Sequence, residues 1–229
     1  VVLAGVFGLL VGSFLFVVIH RLPLMLHRVW REQCAWLNGS TPAEEPLYNL
    51  AVPRSACPAC QHQITWYENI PVLSWLVLQG RCSACGTSIS MRYPMVELLT
   101  GVLFGYAAWR WGASIQTLFV FGLMASLIAL AFIDLDTQLL PDNITLPLLW
   151  VGLLINLNGM FCSVDEAIIG AAAGYLSLWL VYHGFKRLTG KEGMGFGDFK
   201  LLAALGAWLG WKLLLPILLA ASFGWPWAD

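Results

Sequence analysis

Long apolar runs alternate with short polar clusters along most of this chain. The first run, VVLAGVFGLLVGSFLFVVI, occupies residues 1–19, and later ones fall near 96–111, 115–133, 143–158, 166–185 and 199–223. A helix crossing a bilayer needs roughly 20 mostly apolar residues, so these runs read as membrane helices. The last run is interrupted at Gly210, Trp211 and Lys212. A lysine at mid-bilayer costs roughly 3 kcal/mol, so this run reads as a short helix followed by a second one. Stretches such as PDN, NGM and TGKEGMGFG punctuate the connections. The pattern predicts an all-α polytopic membrane protein in three parts. Residues 1–19 are the first membrane helix, 20–95 a polar loop domain, and 96–229 the helical core.

Composition supports this class. Of 229 residues, 59% are hydrophobic and 11% charged, whereas soluble domains carry about 25% charged residues. No basic helix or stripe suggests a nucleic-acid partner. The net charge of −1 matters less than where the charges fall. Arg21, Arg28, Arg31, Arg54, Arg81, Arg92, Lys186, Arg187 and Lys191 lie in alternate loops on one side, against Arg110 and Lys212 on the other. By the positive-inside rule the first side is cytoplasmic. The chain opens inside an apolar run without a basic n-region and stops just after another, FGWPWAD. It reads as a segment of a longer protein at both ends.

The polar domain carries CPAC (Cys57, Cys60) and CSAC (Cys82, Cys85). Two CxxC pairs at this spacing suit one tetrahedral Zn²⁺ held by four thiolates. Disulfides are the alternative, and a cytoplasmic location disfavours them. Four protein ligands leave no open position, so the zinc is structural rather than water-activating. Cys34 and Cys162 lie outside the pattern, and His20, His27, His62 and His183 form no ligand spacing.

Aspartates are scarce: Asp134, Asp136, Asp142, Asp165, Asp198 and Asp229. Asp142 and Asp165 read as helix caps, and Asp136 as a solvated loop residue. Asp134 directly follows LMASLIALAFI, which puts its carboxylate where lipid gives way to water. Ionisable groups at that depth usually face an interior or a wet cavity, although a plain helix end is the alternative. Asp198 can also be read as the N-cap of FKLLAALGAWLG. That reading leaves Gly193, Gly195 and Gly197 unexplained. Such glycines allow positive φ and close backbone approach, as beside an extended peptide. Two facing carboxylates that share a proton can polarise a water, one as base and one as acid. A helix C-terminus opposes charge on Asp134 and a helix N-terminus favours it on Asp198, which makes Asp198 the base.

Together the motifs GSFLFVVIHRLP, CPAC, ENIPVLSWLVLQGRCSACGTSISMRYPMVELLTG, IDLDTQLLPD and GKEGMGFGDFKLLAALGAWLG resemble those of the type IV prepilin peptidases. These are GxGD-type aspartyl proteases of the bacterial inner membrane. The resemblance implies cleavage of the short basic leader of type IV prepilins and type II secretion pseudopilins, after a glycine, on the cytoplasmic face. It also implies N-methylation of the new N-terminus with S-adenosylmethionine. The family's catalytic aspartates map onto Asp134 and Asp198, and its zinc cysteines onto Cys57, Cys60, Cys82 and Cys85. The methyltransferase function is associated with the polar loop. Arg92 and Glu97 are candidates for substrate or methyl-donor contacts, with a membrane-edge ion pair as the alternative. The family usually has Asn where this chain has Phe16, and it continues with further spans beyond residue 229. A peptidase without methylation, a transporter with edge carboxylates and a zinc-scaffolded assembly subunit are the rival readings.

Overall fold

In a computed structural model, residues 1–41, 46–191 and 193–223 are described, so Glu192 and Asp229 lie outside them. The order of elements is α1 (Val2–Leu37), a 3-10 turn (Tyr67–Asn69), α2 (Leu73–Val77), α3 (Arg92–Trp111), α4 (Ile115–Thr137), α5 (Asp142–Asn156), α6 (Val164–Thr189), α7 (Phe196–Leu209), a second 3-10 turn (Trp211–Leu213) and α8 (Leu214–Phe223). The chain divides into two units, Val1–Gln138 and Leu139–Asp229.

Three helices, α1, α4 and α6, are each long and apolar enough to cross a membrane. The other runs fall short of the sequence expectation. Helix α3 carries Arg92, Glu97 and Arg110 within its 20 residues. Helix α5 has 15 residues, about 22 Å of rise against a hydrocarbon core of about 30 Å. Helix α1 is longer than the run that predicted it. Its helix carries on through the polar residues after Ile19, since Pro23 sits inside it and the chain turns only at Gly39, with φ +69°. The predicted polar domain therefore begins as a helix. There Arg21, almost fully buried, donates to the Asn49 carbonyl at 2.9 Å, and Arg28 lies over the Tyr48 ring at 4.3 Å.

In the first unit, α1 and α3 pack backbone to backbone. A Cβ on Gly8 would meet the Thr100 carbonyl at 2.7 Å, and one on Gly12 would meet the Glu97 Cα at 2.7 Å. Lipid tails are as apolar as leucine, so membrane helices associate through such close van der Waals fits and interhelical hydrogen bonds. Phe104 and Phe121 stack at 4.2 Å to join α3 with α4.

In the second unit the same device joins α6 to α7. A Cβ on Gly206 would lie 2.2 Å from the Gly170 carbonyl oxygen, and one on Gly174 would lie 2.7 Å from that of Leu202. Helix α5 fits against α7 because Gly152 makes room for the Trp208 ring, whose Nε1 donates to the Leu148 carbonyl at 2.8 Å. Asn156 is fully buried. Its amide donates to the Ala207 and Trp208 carbonyls, and its oxygen accepts from the Phe161 and Cys162 amides, so every polar atom is partnered. As expected, the last apolar run breaks at Gly210, with φ +78°. Lys212 at this break pairs with Glu166. The cap of α6 is Ser163, which accepts from the Glu166 amide, and not Asp165, which sits in the first turn.

Gly206→Leu should therefore push α6 and α7 apart. We expect a loss on the order of 3 kcal/mol, read as a lower thermal midpoint in detergent. A Cβ at Gly184 meets nothing within 4 Å, so Gly184→Ala should leave the midpoint unchanged or raise it.

Candidate functional site

The four CxxC cysteines form one cluster, with all four sulfurs within 4.8 Å of one another. The two halves are built alike. In the first, the Cys57 amide donates to His62 and the Gln61 amide to the Cys57 carbonyl. In the second, Cys82 donates to Thr87 and Gly86 to Cys82. Each closes with a residue at positive φ, Gln61 at +60° and Gly86 at +71°. Isolated bridges Ala56–Gln63 and Arg81–Ser88 seal the two turns.

The sulfurs of Cys57 and Cys85 stand 3.8 Å apart and those of Cys60 and Cys82 3.9 Å apart. Thiolates about 2.3 Å from a tetrahedral zinc stand about 3.8 Å from one another, so the donor set fits this ion. A disulfide requires about 2.05 Å, and all six cysteines are free. Thr87, through its hydroxyl and then its amide, lowers the Cys85 thiol to about 6. At Cys60 the amide of His62 acts in the same direction, but burial and the three other sulfurs push the thiol up to about 12. Four negative sulfurs this close need a cation between them. Among the described residues this is the one group of clustered metal-ligating side chains.

Glu68 ties the two halves together, a role the sequence did not signal. Its carboxylate accepts from the Ser83 hydroxyl, from the Thr65 hydroxyl at 2.7 Å and amide at 2.8 Å, and meets His62 at 3.4 Å. These bonds, from Ser83 first and then Thr65, hold the carboxyl down at about 2.

Helix α3 rises beside this loop. Arg92 and Glu97 do not pair with each other: Arg92 pairs with Asp136, and buried Glu97 accepts from the Val72 amide at 2.7 Å. Val72 holds a left-handed φ of +60°, a strained conformation for a β-branched residue. Phe16 stacks on Tyr93 at 3.6 Å.

Asp134 lies in the last turn of α4, half-buried, and its carbonyl accepts from both the amide and the side chain of Gln138. Asp136, expected to be solvated in a loop, is helical and paired with Arg92. In the second unit, Asp198 occupies the first turn of α7 and is not its cap; that position belongs to Gly195. Asp142 is likewise not a cap but the first residue of α5, and both its oxygens accept from Lys200 at 2.7 Å. Thus each aspartate is followed two residues later by one partner of an ion pair to a neighbouring helix. None of Gly193, Gly195 and Gly197 has a positive φ. A Cβ on Gly197 would meet that of Leu140 at 2.7 Å, and one on Gly193 would meet the Phe185 ring at 2.9 Å. At Gly195 the nearest neighbour is the Asp198 carboxylate at 3.7 Å, so a Cβ there would be in ordinary contact with the acid.

Residues 6–111 match the bacterial peptidase A24 N-terminal domain, and residues 121–225 match the type IV leader peptidase family. The chain is 56% identical over 226 residues to a prepilin leader peptidase/N-methyltransferase of Stutzerimonas stutzeri, covering 98% of this chain and 78% of that protein. It is 58% identical to one of Aeromonas hydrophila, over 96% of this chain and 77% of that protein. Identity to one of Pseudomonas aeruginosa is 53%, over 95% of this chain and 76% of that protein. No solved structure matches the chain.

Elemental analysis of the purified protein should find one zinc per chain, lost in Cys57→Ser. Glu68→Ala strands three hydrogen-bond donors beside the cysteine loop. Zinc should then pass to a competing chelator with an affinity weakened about 10-fold or more.

Proposed function

Because the chain belongs to the type IV leader peptidase family, we propose that it cleaves the leader from prepilins and N-methylates the N-terminus so exposed. The observation that carries this reading is identity above 50% to proteins named for both activities, over nearly the whole chain. Asp134 and Asp198 are the acid pair. Each sits at a helix end, Asp134 in the last turn of α4 and Asp198 in the first turn of α7. The chemistry is hydrolysis: a water attacks the scissile carbonyl while Asp198 takes its proton. Asp134 protonates the leaving amine, so the two carboxyls exchange protonation states across one turnover. No covalent intermediate forms, because no Ser or Cys belongs to the pair.

Basic residues concentrate in the loops that lead to both aspartates, which supports a cytoplasmic active face in the bacterial inner membrane. The substrate is a prepilin or pseudopilin whose apolar segment lies among the helices. The bare backbone at Gly195 gives an extended leader junction room beside Asp198. Cys57, Cys60, Cys82 and Cys85 hold a structural zinc, which fixes the fold of the loop and takes no part in the chemistry. S-adenosylmethionine supplies an electrophilic methyl group: the free amine's lone pair takes it, the C–S bond breaks onto sulfur, and one proton leaves the nitrogen.

Incubating the protein with a prepilin, with and without S-adenosylmethionine, and measuring the intact mass reports both steps at once. We expect leader loss in either case and gain of one methyl group only with the donor. Asp134→Asn and Asp198→Asn should each reduce cleavage by at least about a thousandfold, with zinc content unchanged. Substantial cleavage by either variant overturns the assignment of the pair.

A further inference from the structure

Between Glu68 and Arg81 the cysteine loop carries no charge, and its residues 70–78, IPVLSWLVL, include only one polar side chain. This stretch folds into α2 and its flanks, and the helix divides by face. Ser74, Trp75 and Leu78 line a cavity of about 360 Å³ that Tyr93 and Glu97 of α3 wall from the other side. Leu73, Leu76 and Val77 do not line it, and they are 61%, 57% and 80% exposed. Soluble surfaces rarely leave apolar side chains open in such a group, and one that does marks an interaction site.

The depth of this face follows from the register of α3 on α1, which is long and apolar enough to cross a membrane. The two run antiparallel: Gly8 meets Thr100, Gly12 meets Glu97, and the Phe16 ring stacks on Tyr93. Glu97 is thus level with Gly12, about 10 Å inside the end of the α1 apolar run at Ile19. Measured from the Arg92–Asp136 ion pair, Glu97 lies about 7 Å further along α3. Its carboxylate accepts from the Val72 amide at 2.7 Å. Even with the reach of one glutamate side chain, the start of α2 lies below the level at which α1 turns polar.

The backbone of this stretch suits that depth, because hydrocarbon tolerates no unpaired amide. Val72 donates to Glu97, Ser74 to Ile70, Leu76 to Val72 and Leu78 to Ser74, and Pro71 has no amide to satisfy. The chain then turns out through Gln79 and Gly80, at φ +50° and +65°, whose amides donate to the Leu76 and Trp75 carbonyls.

We propose that residues 70–78 insert into the lipid, with Leu73, Leu76 and Val77 among the acyl chains at the membrane boundary. Lipid is the occupant because the stretch is pinned to a helix packed on a membrane span, at a depth where acyl chains surround that span. Short apolar helix faces lie about 5–10 Å into this boundary in other membrane-bound proteins. Exposed Trp66 and Tyr67 fit the headgroup level, where such rings gather. Arg81 follows at the exit, where a cation is drawn to anionic headgroups. The insertion also holds the second cysteine turn against the membrane, since the Trp75 ring packs on Gly80 and its Nε1 donates to the Ile89 carbonyl. Part of the stretch that the sequence assigned to a polar domain thereby belongs to the bilayer.

The test uses the full chain in nanodiscs of phosphatidylethanolamine and phosphatidylglycerol. A fluorescent amino acid replaces Val77 or, as a control, the exposed Arg54, and each variant should keep the wild-type thermal midpoint. Iodide should quench the label at 77 at least about fivefold less than the one at 54, because hydrocarbon excludes ions. Phospholipid brominated near the carboxyl end of its chains should quench the label at 77 and leave that at 54 unchanged. In a second measurement, a photoreactive amino acid in place of Leu73 should form adducts with phospholipid. Equal quenching by iodide at both positions, or no quenching by brominated lipid at 77, overturns the proposal. Adducts confined to a second copy of the chain or to an added prepilin assign the face to protein and overturn it as well. Neither readout requires cleavage or methylation, so the proposal stands or falls apart from both activities.

Discussion

The structure depends most on the bare backbone contact that glycine permits between helices. In lipid there is no hydrophobic gain in bringing one apolar helix against another, so association relies on dispersion over closely fitted surfaces. Gly170, Gly174 and Gly206 let α6 and α7 meet at their carbonyls, and Gly8 and Gly12 do so for α1 and α3. Helices joined in this way have little freedom to rotate or slide, because any shift drives backbone into backbone. The consequence is functional. Asp198 stands on α7, and Glu97 on the stretch of α3 against which Gly12 lies, so each acidic group inherits its position from backbone contacts that do not involve its carboxylate.

Polar interactions complete what packing begins. Arg92–Asp136 fastens the end of α4 to the start of α3, and Lys200–Asp142 fastens the start of α7 to the start of α5. These charges are partly solvated, so they contribute modestly to stability. Their value is positional: each pins a helix turn next to Asp134 or Asp198. Asn156 and Trp208 do the equivalent work at the other end of α7, where Asn156 and the Leu148 carbonyl meet polar groups that would otherwise be stranded.

The cysteine loop is too small and too polar to hold itself together by apolar burial. Its order comes from the clustered cysteine turns and from Glu68, which gathers donors from both halves. The same turns that bring the four sulfurs together also line a cavity with Ser88 and Cys82.

Much was legible in the sequence because it is written in local patterns. Apolar run length marked the helices α1, α4 and α6, the CxxC spacing marked four cysteines whose sulfurs cluster, and Gly210 with Lys212 marked the break before α8. Local patterns misled wherever a charge found a distant partner. Asp142 was read as a cap and Asp136 as a loop residue, yet Asp142 is the first residue of α5, Asp136 is exposed but helical, and both are in ion pairs with residues 58 and 44 positions away. Sequence proximity also suggested joining Arg92 with Glu97, whereas one reaches α4 and the other the backbone of Val72. Only the tertiary structure decided which glycines serve close approach, that Glu68 binds the two cysteine turns to each other, and that Trp75, Tyr93 and Glu97 enclose one space. Composition and spacing govern what a segment becomes; which segments meet depends on packing that no local window contains.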